Sequence, residues 1–168
     1  MSRFKLVAEK QVIEIKPIQL HQAEEVKRVI VAICHEIWQL PEDVIRRYDA
    51  MSDIDGVQSH YFDNNGTFLV LIDDGRVVGS GAIRRLSDDI CELKRMWFLR
   101  NYRGRGLGMK MTQMLLDFAR KTGYKKVRLD TVDEQKQAQA LKLYKRLGFY
   151  FIERYNDSSC TVFMEKML

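Results

Sequence analysis

Along residues 12–18, VIEIKPI, apolar and polar positions alternate with the period of a half-buried strand. The period then changes. In HQAEEVKRVIVAICHEIW the apolar residues Val26, Val29, Ile30, Ile33 and Ile37 recur at helical spacing, and Pro41 opens a second short helix, PEDVIRRYDA. Residues 51–66 are rich in Asp, Asn, Ser and Gly and read as a loop. TFLVLI and RVVGSGAIRRL are β-rich runs separated by DDG, the signature of a tight hairpin, and ICELKRMWFL continues the antiparallel meander. Past a glycine-rich stretch, Leu107, Met111, Met114, Leu115 and Phe118 form the stripe of one amphipathic helix that ends near Gly123. KVRLDTV reads as a strand, EQKQAQALKLYKRLG as a helix stopped by Gly148, and FYFIERY with CTVFMEKM as a closing pair of strands. The order is strand, two helices, three strands, helix, strand, helix, two strands. That is a mixed α/β fold, with residues 1–168 forming a single domain.

Composition adds few constraints. Only two prolines, no repeat and no low-complexity tract mark a linker. No apolar stretch approaches a membrane span, and the N-terminal MSRFKLVAEKQVIEIK is too broken by charge for a secretion signal. Three cysteines, Cys34, Cys91 and Cys160, are odd in number and far apart, which argues against a disulfide framework or a metal site and for a cytoplasmic setting. The net charge of +5 suits any phosphate-bearing ligand.

The chemistry concentrates in YRGRGLGMK, residues 102–110, which lies between a strand and a helix start. Two phosphate-binding templates fail there. The dinucleotide fingerprint G-x-G-x-x-G, counted from Gly104, ends on Met109, and no P-loop spacing exists. What remains is a glycine loop leading into a helix N-terminus, where unpaired N–H groups and the helix dipole attract anions. Between residues 93 and 110 stand Lys94, Arg95, Arg100, Arg103, Arg105 and Lys110, with no acid among them. HEIWQ at 35–39 is not a zinc motif, because its fifth position is Gln39.

CELKRMWFLRNYRGRGLGMKM, followed by ALKLYKRLGF, resembles the GNAT superfamily of N-acetyltransferases. Arg103, Gly106 and Gly108 fill that family's Gln/Arg-x-x-Gly-x-Gly/Ala signature. Ala140, Tyr144, Gly148 and Phe149 fill its later Ala-x-x-x-Tyr-x-x-x-Gly-Phe-like helix pattern. The resemblance covers roughly residues 67–165. It implies a mostly antiparallel central sheet of about seven strands, splayed between the fourth and fifth, with about four flanking helices. It also implies that the anion is the pyrophosphate of acetyl-CoA, cradled by the backbone of Arg103, Gly104, Arg105, Gly106, Leu107, Gly108 and Met109. The pantetheine arm would lie along Met96, Trp97, Phe98 and Leu99, with Gln137, Ala140 and Tyr144 completing the cofactor contacts and no metal involved. Gln137 departs from the family's usual asparagine, and Arg100 from its proline.

Acyl transfer to an amine needs a group to take the amine's proton, a donor for the developing oxyanion and an acid for the leaving thiolate. The resemblance implies Tyr144 as the acid, Glu92 or a water relay as the base, and a backbone amide near Trp97 or Phe98 as the oxyanion donor. The expected acceptor is a primary amine on a small molecule or peptide. Six acids between residues 42 and 63 (Glu42, Asp43, Asp49, Asp53, Asp55, Asp63) read either as a solvated helix–loop surface or as an acidic vestibule for a cationic acceptor, with Trp38 as an apolar wall. Partnership with nucleic acid or membrane is not expected, and a homodimer is open. Two alternatives stand beside the enzyme: a catalytically silent acyl-CoA-binding regulatory domain, and a basic nucleic-acid-binding module.

Overall fold

The computed structural model describes residues 12–168; the first eleven positions of the charge-broken N-terminal stretch lie outside the described residues. Strand β1 (Ile13–Pro17) leads through a 3₁₀ turn into α1 (Ala23–Trp38), followed by α2 (Glu42–Tyr48), α3 (Ser52–Asp55) and α4 (Val57–His60). Strands β2 (Thr67–Asp73), β3 (Arg76–Arg85) and β4 (Ile90–Phe98) precede α5 (Leu107–Thr122). The chain closes with β5 (Lys126–Thr131), α6 (Ala138–Arg146), β6 (Tyr150–Phe151) and β7 (Val162–Met167).

The sheet is open, in the order β1-β2-β3-β4-β5-β7-β6. The meander forms as read: Asp74 and Gly75, at φ 49° and 72°, make the left-handed corner that joins β2 to β3. The β4–β5 pair is parallel and short, with only Ile90↔Lys126, Cys91↔Val127 and Glu92↔Arg128 in register. Beyond Glu92 and Arg128 the two strands part, β4 running on to Phe98 and β5 to Thr131. The splay implied by the family resemblance is present.

Each face of the sheet is covered. Phe68, Val70 and Ile72 of β2 pack under α1 to α4 together with Val26, Ile30 and Ile33. Leu69 and Leu71, pointing the other way, join Met111, Leu115 and Ala119 of α5 and Leu141 and Tyr144 of α6. This explains why TFLVLI reads as an unbroken apolar run.

Three readings are corrected. Residues 51–66 are not a loop: α3 and α4 occupy them, and Met51, Ile54, Val57 and Tyr61 are each 1% exposed or less. These anchors keep helical spacing, but the turns are too short and too polar between anchors for a periodic signal. Counting these two turns, the described residues hold six α-helices. The first closing strand shrinks to Tyr150–Phe151, because residues 152–161 swing across the sheet. Finally, α6 begins at Ala138, since the Asp133 carboxylate accepts the amides of Gln135 (2.8 Å) and Lys136 (2.9 Å) and holds a turn ahead of it.

Ile54, fully buried, tests the first correction. Ile54→Ala should lower unfolding stability by about 2–5 kcal/mol in urea titration, whereas a residue in a surface loop would lose almost nothing.

Candidate active site

The parting of β4 from β5 opens a gap bordered by backbone. The Leu99 amide donates across to Val78 O at 3.0 Å, toward β3. Alternation along the strand therefore turns the amides of Phe98 and Met96 toward the gap and that of Trp97 toward β3. On the far side β5 ends at Thr131, whose hydroxyl is buried and meets no hydrogen-bond partner among the described residues. A buried orphan of this kind is rare in folded proteins and fits a site that a polar ligand completes.

At the mouth of the gap, α5 begins. Gly106 is its N-cap at φ 76°, a conformation that costs a residue bearing a Cβ roughly 1–2 kcal/mol. The first helical bond runs from the Lys110 amide to Gly106 O at 3.0 Å. Among the described residues the amides of Gly104, Gly106, Leu107, Gly108 and Met109 donate to no carbonyl or side chain, while Arg103 and Gly104, the latter at φ 68°, form a turn that directs the Arg105 amide toward the Tyr102 carbonyl. The Arg103 amide is already bonded to Arg100 O at 3.2 Å, so the cradle is shorter than expected. Unpaired donors at the positive end of a sixteen-residue helix form an anion site, and they fit the diphosphate of a coenzyme A thioester.

Tyr144 packs beneath this region, 5% exposed, its ring centroid 5.6 Å from that of Phe149. Its hydroxyl has no hydrogen-bond partner among the described residues. Burial pushes its pKa well above the ordinary tyrosine value, so it stays protonated and free to donate. Ala140, one turn earlier on α6, packs against the same cluster.

The Acetyltransferase (GNAT) family model matches residues 30–149. The chain belongs to that family. A search of known proteins finds the uncharacterized N-acetyltransferase YjgM of Escherichia coli, 38% identical over 104 residues, a match covering 60% of this chain and 61% of YjgM. Among solved structures, a GNAT-family acetyltransferase from Staphylococcus aureus Mu50 superposes with a TM-score of 0.80 at 21% identity, covering 93% of this chain and 99% of that one. The PaiA N-acetyltransferase of Thermoplasma acidophilum, solved in complex with coenzyme A, reaches 0.77 at 19% identity, covering 94% and 99%.

In this GNAT chain the tertiary structure redistributes the basic charges seen in sequence. Arg103 is consumed internally: its Nε donates to Phe98 O at 2.7 Å and its two terminal nitrogens to Glu36 of α1 at 2.9 and 3.1 Å. Arg95 faces Asp49 and Asp53, and the Lys94 ammonium lies 3.7 Å from both Glu92 and Asp130. Exposed Arg100, Arg105 and Lys110 remain around the loop, with Arg105 stacked over Tyr102 at 5.5 Å. Tyr102 in turn donates to Asp73 at 2.5 Å, tying the loop to the end of β2.

Glu92 is fully buried on β4. One carboxylate oxygen accepts from Arg84 at 2.6 Å and the other from the Tyr155 hydroxyl at 2.7 Å. Tyr155, Asn156 and Ser158 come from the segment between β6 and β7; the last two bond the Asp130 carboxylate at 2.9 and 2.8 Å. Burial alone would raise Asp130, but Lys94 and these donors outweigh it and hold its pKa below the usual carboxylate range. Gln137 is the N-cap residue of α6 but makes no side-chain cap bond; its side-chain oxygen accepts the amides of Val132 (2.8 Å) and Asp133 (3.1 Å) in the preceding turn, leaving its NH₂ for any ligand.

The acidic vestibule does not form as a free charge. Glu42 pairs with Arg46, Asp43 with Arg47, Asp55 with Lys27, and Asp49 and Asp53 with Arg95, while Asp63 accepts from Gln58. Trp38 does stand at the site's edge, stacked edge-on against Trp97 with centroids 6.3 Å apart.

Sequence reasoning missed Thr131, Tyr155 and Arg95. Only position could have flagged Thr131, as the last residue of the strand facing the gap. Tyr155 and Arg95 act across 63 and at least 42 residues of chain, beyond the reach of any local pattern.

Glu36→Ala should speed tryptic cleavage after Arg103 and Arg105 several-fold, read by mass spectrometry. Global stability should fall by no more than about 1 kcal/mol, because the pair is partly exposed. Unchanged cleavage would show that the loop holds its shape without the ion pair.

Proposed function

We propose that this chain transfers an acetyl group from acetyl-CoA to a primary amine of a small molecule or peptide, directly within a ternary complex. The observation that carries the reading is the set of unpaired amides of Gly104 and of Gly106 to Met109, at the mouth of the gap between β4 and β5. Acetyl-CoA would supply an acetyl group already activated as a thioester. The loop amides, with Arg105 and Lys110 near them, take the diphosphate. Met96, Trp97, Phe98 and Leu99 border the arm on one side and Thr131 on the other, with Gln137 and Ala140 at the α6 end. Membership in the GNAT family and the coenzyme A complex of the PaiA enzyme support the choice of carrier.

The amide of Phe98 is assigned to the developing oxyanion, where a fixed donor in a dry gap acts strongly. Tyr144 gives its proton to the departing thiolate. Glu92 takes up the proton of the acceptor amine, directly or through water. Each of its oxygens accepts one hydrogen bond, from Arg84 and from Tyr155, and keeps a second lone pair for the incoming proton. A reducing, cytoplasmic setting agrees with three cysteines held as free thiols.

The decisive measurement is thiol release from acetyl-CoA across a panel of amines, beside calorimetry with coenzyme A. Binding without release across the panel would favour the silent carrier-binding domain, and no heat of association would end the reading. Tyr144→Phe should cut kcat about a hundredfold or more, equally at all pH values below 10, since the tyrosine remains protonated there. Glu92→Gln should lose most at low pH, where the acceptor is an ammonium ion. That loss should shrink as pH approaches the amine's own pKa near 10.4. Equal rates for Glu92→Gln and wild type at every pH would remove Glu92 from the mechanism.

A further inference from the structure

The strand that borders the gap is bent by a bulge, and the bulge is held from outside the sheet. Ser80 pairs with Trp97 and Ala82 with Lys94, so Arg95 and Met96 together stand opposite Gly81. Arg95 takes φ 57°, in the left-handed region, and its carbonyl accepts the Ser80 hydroxyl at 2.7 Å. Its guanidinium is 11% exposed. It reaches Asp53 through Nε at 3.0 Å and a terminal nitrogen at 2.5 Å, and Asp49 through both terminal nitrogens, one at 3.1 Å.

The acids are fixed in their turn. Asp53 accepts the Tyr61 hydroxyl at 2.5 Å, and Asp49 accepts the Met51 amide at 2.9 Å. Burial by itself would raise both carboxyls, but Arg95 outweighs it and lowers their pKa below the ordinary value. Tyr61, Met51 and Ile54 anchor this segment in the core under β2 and β3.

We propose that Arg95 is a positioning residue for acyl transfer. By tying the β4 bulge to the segment 49–61, it fixes the gap-facing amides of Met96 and Phe98 against the acetyl group. This rests on the acetyltransferase reading above. Backbone geometry alone does not call for arginine here, since glycine adopts this φ without strain. Stability alone does not call for it either, because a buried ion pair is commonly replaceable by apolar side chains without loss. What a guanidinium adds is direction: its planar fork meets two carboxylates in one orientation and transmits their position to the strand. The wall beside the acceptor and the strand beside the carrier thereby move as one body.

Arg95→Gly separates the two roles, since it keeps the bulge's backbone accessible and deletes the tie. With the best amine of the panel, the folded variant should lose at least tenfold in kcat, while coenzyme A affinity by calorimetry stays within about twofold of wild type. Arg95→Lys should recover part of that loss, and Asp53→Asn should lower kcat in the same direction with affinity unchanged. If circular dichroism finds Arg95→Gly unfolded, Asp53→Asn carries the decision. A folded variant with wild-type kcat overturns the proposal, as does a parallel fall of kcat and coenzyme A affinity in every variant, which would mark a merely structural role. A wild type silent with every amine fails the acetyltransferase reading itself, and this proposal with it.

Discussion

Two parallel strands that pair over three residues and then separate leave backbone donors and acceptors facing a gap, and buried backbone polar groups do not stay unpaired without cost. Most of what is distinctive in this molecule answers that constraint. β4 keeps β3 as its partner on one edge, so it remains a strand while its other edge is open. The Phe98 carbonyl, on the open side, is taken by Arg103 at 2.7 Å. What is left over is a small set of donors: the amides of Met96 and Phe98 on β4, the hydroxyl of Thr131 at the end of β5, and the amides that begin α5. A ligand with carbonyls along its length and a diphosphate at one end answers that set.

Charge is arranged by the same economy. Six basic side chains between Lys94 and Lys110 give the loop a strongly positive appearance, yet half of them are spent inside the molecule. Arg103 holds the loop to α1 through Glu36, Arg95 holds β4 to α3 through Asp53, and Lys94 sits between Glu92 and Asp130. Ion pairs like these, buried or half-buried, add little net stability, but their guanidinium forks set orientation. The acids of residues 42–63 are consumed in the same way, by Arg46, Arg47, Lys27, Arg95 and Gln58, so no open negative field stands there.

The buried polar cluster around Glu92 and Asp130 follows another logic. Glu92, with Arg84, Tyr155 and Lys94 around it, and Asp130, with Asn156 and Ser158, lie under a segment that the sequence pattern assigns to a strand. Satisfying two buried carboxylates requires donors from a flexible stretch of chain. That requirement is met by ending β6 after two residues and folding 152–161 back over the sheet. A strand there would have left Glu92 without Tyr155 and Asp130 without Asn156 and Ser158.

By itself the sequence determined the alternation of strands and helices, the hairpin at Asp74–Gly75, the glycine-rich entry to α5 and the tyrosine on α6. All of these rest on local physics: side-chain period, left-handed turn residues and helix ends. It did not determine which arginines remain free, that residues 51–61 form core, that β4 carries a bulge at Arg95, or that Glu92 is enclosed by Arg84 and Tyr155. Those features arise from contacts between residues far apart along the chain. Whether a charge faces water, a ligand or an opposite charge is decided only when the sheet brings distant segments within hydrogen-bond distance.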